Sequence, residues 1–109
     1  LTTISFSRNN LTGEIPPELG YLTNLEELRL YDNELSGEIP TELGNLTNLT
    51  ELNIGQNNLS GALPQSLTGL TKLEKFFFGG EGGLCAPLDA AFQAWLQGIA
   101  EISGSNCSE

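Results

Sequence analysis

Histidine is missing from this chain of 109 residues, and basic residues are scarce, with 4 Lys and Arg against 14 Asp and Glu for a formal charge of -10. Without an imidazole there is no ordinary proton shuttle near neutral pH and no histidine metal ligand. The surplus of negative charge repels phosphate backbones and anionic membrane surfaces, so nucleic acid is not an expected partner. No apolar run approaches the roughly 20 residues of a spanning helix, so no direct membrane insertion is expected of this segment. Leu1 opens no charged-then-apolar leader pattern. The two cysteines, Cys85 and Cys107, stand far outside CxxC spacing. There is no phosphate-cradling glycine loop, no nucleophile elbow and no loop of alternating Asp ligands for calcium. No catalytic residue, cofactor or metal is therefore expected.

What the chain does have is a repeat. Thr23 to Leu46, TNLEELRLYDNELSGEIPTELGNL, returns from Thr47 to Leu70 as TNLTELNIGQNNLSGALPQSLTGL, and Leu1 to Leu22 supplies the same unit without its first two positions. The first residue thus falls inside a repeat, and the protein is expected to extend further toward the N-terminus. The first layer is expected to expose Leu1, Ile4, Phe6 and Leu11, because terminal repeats need a polar cap.

Aligned copies place Leu1, Leu25, Leu49 and Leu73 in one column, Ile4, Leu28, Leu52 and Phe76 in a second, and Phe6, Leu30, Ile54 and Phe78 in a third. The last two columns are two residues apart, the alternation of a strand, so these columns face inward and the residues between them outward. Asn9, Asn33 and Asn57 mark the point where each strand bends away. A buried amide there both donates to and accepts from backbone groups leaving the sheet, which predicts an asparagine ladder. TGEIP, SGEIP and SGALP follow, with Ile15, Ile39 and Leu63 inward and Pro16, Pro40 and Pro64 ending the extended run. Leu19, Leu43 and Leu67 then suggest one short helical turn per repeat on the outer side.

The pattern LxxLxLxxNxLxGxIPxxLGxL, as it stands from Leu25 to Leu46, resembles the plant-type leucine-rich repeat, and the likeness covers Leu1 to Leu73. The resemblance implies an α/β repeat solenoid. It would be a right-handed horseshoe with a parallel concave β-sheet, short 3-10 or helical turns on the convex side and a C-terminal capping helix. On this reading residues 1–78 are the repeats, of about 22–24 residues each with the first one truncated, and residues 79–109 are the cap.

From Lys75 the pattern departs, with Glu81 in the asparagine column and the expected leucine one residue late as Leu84. The solenoid is expected to stop there, leaving Phe77 at the edge of the sheet. Pro87 and Asp89 open a helix expected over about 88–99, with Phe92, Trp95, Leu96 and Ile99 on one apolar stripe. Trp95 is expected to serve core packing rather than ligand stacking. The layout of Cys85 and Cys107 around this helix resembles the disulfide-tied caps of extracellular leucine-rich repeat proteins. That likeness implies a Cys85–Cys107 bridge and an oxidising compartment.

Function is expected on the concave face, where the outward columns vary while the inward ones do not. The candidate ligand-binding residues are Glu27, Arg29, Tyr31, Asp32, Glu51, Asn53, Gln56, Lys75 and Phe77, with Arg29, Tyr31 and Phe77 carrying interface energy. The resemblance implies an extracellular binding module, a receptor-like ectodomain fragment for a protein, peptide or glycan ligand, with a co-receptor or kinase domain belonging to the full-length protein. The alternatives are a secreted inhibitor or a scaffold segment with no ligand of its own. Glu27 and Glu51, roughly 5 Å apart on adjacent strands, superficially match a retaining glycosidase pair, but an open sheet offers no pocket to separate their pKa values. A row of Thr12, Ser36 and Ser60 raises ice binding, against which the charged concave columns argue. Asn10, Asn45, Asn48, Asn58 and Asn106 each begin an N-x-Ser/Thr triplet and are candidate glycosylation acceptors.

Overall fold

The structure is a computed structural model that describes residues 2–108. Leu1, expected in the first inward column, and Glu109, in the expected cap, lie outside the described residues.

Each coil begins with one short strand. β1 (Thr3–Ser5), β3 (Glu27–Arg29), β5 (Glu51–Asn53) and β7 (Lys75–Phe77) stack as a parallel sheet. The register pairs Ile4 with Leu28, Leu28 with Leu52 and Leu52 with Phe76. These middle residues point into the core, so each strand contributes one inward side chain flanked by two outward ones. Leu28, Leu52 and Phe76 are fully buried, as are Leu25 and Leu49 of the preceding column. Each such side chain contributes about 1.5–3 kcal/mol of apolar burial, available only when neighbouring coils stack.

A second parallel ladder follows, formed by β2 (Thr12–Gly13), β4 (Glu34–Gly37) and β6 (Asn58–Leu59). Short 3-10 turns then run along the convex side: η1 (Pro17–Tyr21), η2 (Thr41–Asn45) and η3 (Gln65–Gly69). The proline before each turn, Pro16, Pro40 or Pro64, holds extended backbone and gives its carbonyl to the turn's first N–H bond. Successive turns pack closely. A Cβ on Gly20 would come within 2.5 Å of the Glu42 carbonyl, and one on Gly44 equally close to that of Ser66.

Asn33 and Asn57 are buried where the strands leave the sheet. The Asn33 amide donates to the carbonyls of Phe6, Leu30 and Tyr31, and its oxygen accepts from the Asn9 and Leu11 N–H groups at 2.9 and 3.0 Å. Asn57 repeats this pattern toward Leu30, Ile54 and Gly55, and accepts from Leu35. Asn9 departs from the expected buried role. It is exposed and its side chain reaches only the Ser7 carbonyl, because among the described residues no coil is stacked on its other side. Phe6 is exposed and Ile4 and Leu11 are only half-buried for the same reason.

Beyond Phe78 the coil continues. β8 (Cys85–Ala86) extends the second ladder through a bridge from Ala62 to Cys85. The helix α1 (Ala90–Gln97) occupies the place of a 3-10 turn and packs on η3. β9 (Glu101–Ser103) then joins the main sheet beside β7, and β10 (Ser105–Asn106) pairs with β8. The expectation that the solenoid stops and leaves Phe77 at the sheet edge is therefore corrected. Phe77 faces Ser103 across one more parallel strand, because Ile102 follows the helix in register with the inward column at Phe76.

α1 is shorter at both ends than the expected 88–99. Asp89 is its N-cap, accepting from the Phe92 N–H at 3.1 Å, and Gly98 its C-cap. Phe92, Leu96 and Ile99 are buried over the last coil. Trp95 is half-buried, edge-on to Phe92 and tilted on Phe76, and its indole N–H donates to the Leu70 carbonyl at 3.1 Å. That carbonyl, at the end of η3, also accepts from the Leu73 N–H at 3.4 Å, so the indole adds a second and shorter bond. Cys85 and Cys107 are joined by a disulfide that closes the chain end onto β8.

Candidate functional site

The concave sheet offers two rows of outward side chains in strict register. One row runs Thr3, Glu27, Glu51, Lys75 and Glu101, and the other Ser5, Arg29, Asn53, Phe77 and Ser103. Parallel pairing consumes the backbone groups of the inner strands, so only side chains remain free to recognise a ligand.

Electrostatics on this face is local and mostly self-cancelling. Arg29 donates through Nε and Nη2 to both carboxylate oxygens of Glu51, at 2.9 and 3.1 Å, while Nη2 lies 3.3 Å from Glu27. The side chains are 31% and 12% exposed for Arg29 and Glu51, so the pair is partly shielded from water. Hydrogen bonding to Glu51, foremost, and the charges of Glu51 and Glu27 raise the Arg29 pKa above its ordinary value. Glu27 also accepts from the Thr3 hydroxyl at 3.1 Å. Lys75 faces Glu101 at 3.8 Å, a looser and more exposed pair. Both carboxylates of the superficial glycosidase pair are thus tied to one guanidinium.

Tyr31 and Phe77 are half-buried, each presenting ring area on a rigid strand end or strand. The Arg8 guanidinium lies 5.8 Å from the Tyr31 ring centroid and 3.6 Å from Asp32. Asp32 and Gln56 are exposed, with positive φ of 61° and 55°, as the chain turns off the sheet. Their side chains therefore border the rows and do not join them. Asn53 accepts from the Gly55 N–H through its side-chain oxygen.

Of the nine expected contact residues, Glu27, Arg29, Glu51, Asn53, Lys75 and Phe77 share the sheet, and Tyr31, Asp32 and Gln56 flank it. Glu101 and Ser103 also belong to this face and were missed. Their only signal is the polar–Ile–polar alternation around Ile102, displaced from the regular period by the longer helical crossover.

The sequons take separate positions. Asn10, Asn45, Asn58 and Asn106 are exposed, and none lies on a concave strand. Asn48 is half-buried, its amide donating to the Thr23 carbonyl and its oxygen accepting from Lys72, both at 2.9 Å.

Residues 23–72 match a family model described as Leucine Rich repeats (2 copies), and residues 1–22 one described as Leucine Rich Repeat. No curated protein matches the chain significantly. Among solved structures, the chain is similar to PEPR1–AtPEP1, with 34% identity, a TM-score of 0.80 and coverage of 95% of this chain and 15% of that one. It is similar to the Arabidopsis receptor kinase HAESA in complex with the peptide hormone IDA and the co-receptor SERK1, with 36% identity, a TM-score of 0.74 and coverage of 88% and 16%. The BIR2 ectodomain from Arabidopsis thaliana gives 28% identity and a TM-score of 0.79, with coverage of 98% and 56%. The chain therefore spans less than two thirds of each of these relatives.

Proposed function

This chain belongs to the leucine-rich repeat family, and from that premise we propose that it is an extracellular recognition module that takes an extended peptide against its concave sheet. Residues 1–78 act as the binding repeats and residues 79–109 as their C-terminal cap.

The observation that carries the reading is the row Arg29, Asn53 and Phe77, held in register on a sheet whose backbone is already paired. Phe77 and Tyr31 supply apolar contact area at low entropic cost, while Asn53, Gln56 and Lys75 pair with polar groups of the ligand. Arg29 acts from a preset position, because Glu51 and Glu27 hold its guanidinium before any ligand arrives. The likeness to HAESA, which holds a peptide hormone together with a co-receptor, supports a peptide ligand and a co-receptor here. The engagement of Glu27 and Glu51 by Arg29 on an open sheet supports a binding role for these carboxylates.

Linear peptides selected from a displayed random library and titrated calorimetrically supply the test. Changing Arg29, Tyr31 and Phe77 together to Ala should weaken the selected peptides by roughly tenfold or more while circular dichroism stays unchanged. Undiminished affinity in that folded variant would move recognition off the concave sheet.

A further inference from the structure

Tyr21 is the most exposed large hydrophobic side chain among the described residues, at 84%, and it lies on the convex side, at the end of the first coil's turn. It closes η1 as Asn45 closes η2, so the two occupy equivalent places on successive coils. They border the same hollow of about 380 Å³, together with Pro17, Glu18, Gly20 and Glu42. The floor is tight because Gly20 lets η1 lie against the Glu42 carbonyl. Asn45 opens the triplet Asn45-Leu46-Thr47 and is exposed.

We propose that Asn45 is an N-glycosylation site whose first sugar settles in this hollow against the Tyr21 ring. The inference rests on the extracellular reading above. In the reaction, Nδ2 of Asn45 bonds to the anomeric carbon of a lipid-pyrophosphate-linked oligosaccharide. The bond from that carbon to the pyrophosphate oxygen breaks, the lipid pyrophosphate departs with the electron pair, and Nδ2 gives up one proton and keeps the other. Leu46 is fully buried in the fold, so the triplet cannot be gripped once the coil has closed and transfer precedes folding. What the folded protein decides is where the sugar rests. A pyranose presents a face of C–H groups, and the negative face of an aromatic ring is the surface that attracts them. Tyr21 offers that face one coil from the attachment point, across the hollow that both residues border. Two of the other four sequons differ: Asn48 has its amide and oxygen committed within the fold, and the Asn106 oxygen accepts from Gln93.

The test is secretion of the chain from a eukaryotic host, site mapping by mass spectrometry, and trimming of the glycans to their first sugar. Asn45 should be occupied, and nuclear Overhauser contacts should join that sugar to the Tyr21 ring. The trimmed protein should melt above an Asn45→Gln variant, and Tyr21→Ala should abolish that gain while leaving occupancy intact. A bare Asn45 with an intact Cys85–Cys107 bridge overturns this proposal alone, as does an occupied Asn45 whose effect on melting survives Tyr21→Ala. Two free thiols in the secreted sample would overturn the extracellular reading along with it.

Discussion

Arg29 and Glu51, on neighbouring parallel strands, form a two-point ion pair at 2.9 and 3.1 Å that stands across the middle of the concave face. Glu27 approaches the same guanidinium, whereas Lys75, next to Glu51 in its row, turns to Glu101. The pair joins two coils through side chains where the backbone ladder already joins them.

Glu51→Gln should therefore lower stability by about 1 kcal/mol, above the usual exposed pair because Glu51 is mostly shielded yet well below a fully buried one. Urea unfolding of Glu51→Gln, Arg29→Ala and the double variant measures the coupling. Arg29 has a raised pKa in the folded state, so its contribution is present at every pH below the ordinary arginine value. It is lost only as pH rises through the folded value. The Arg29 side of the coupling should accordingly stay constant from neutral to mildly alkaline pH, and a decline within that range would contradict the assigned pair.

Replacing Asn33 by Leu removes three donated and two accepted hydrogen bonds to backbone groups. Leaving such groups unpaired should cost roughly 1–3 kcal/mol. Asn9→Leu, at an exposed position with one local bond, should cost distinctly less. Equal melting points for the two variants would show that the buried amide has no special role.

Trp95→Phe keeps an aromatic ring against Phe76 and Phe92 but loses the indole bond to the Leu70 carbonyl. The expected loss is about 1 kcal/mol from that bond, with Trp95→Ala costing more because packing goes too. Thermal melts of the two variants separate the hydrogen bond from the ring.

Reduction of Cys85–Cys107 should cost about 3 kcal/mol in the chain-entropy account of cross-links. Because repeats contact chiefly their neighbours, the loss should be uneven. Amide exchange should rise first at β9, β10 and α1, with β1 and β3 affected last. A uniform rise along the chain would mean that the coils unfold as one unit.

Much of this fold was legible before any coordinates. The buried columns of Leu25, Leu28 and Leu30, the turns after Pro16, Pro40 and Pro64, and the amphipathic stripe of Phe92 and Leu96 all follow from local spacing. A period of two and a longer repeat are enough to say which side chains turn inward. The concave rows were legible for the same reason, since outward positions are what remain when the inward ones are assigned.

Other features belong to contacts between coils, on which the pattern of a single coil is silent. Whether an asparagine is buried depends on a coil lying on both sides, so Asn33 and Asn9 share a motif and differ in environment. β9 joins the sheet because α1 returns the chain to the edge of β7, a return set by helix packing on η3 rather than by any repeat signature. The tie between Arg29 and its two carboxylates, and the meeting of Tyr21 and Asn45 at one hollow, arise because stacking sets equivalent positions of successive coils side by side. The sequence by itself determined which faces exist, through the short-range periodicity of apolar and polar residues. Tertiary structure decided which residues meet on them, because that depends on stacking between segments a full repeat apart.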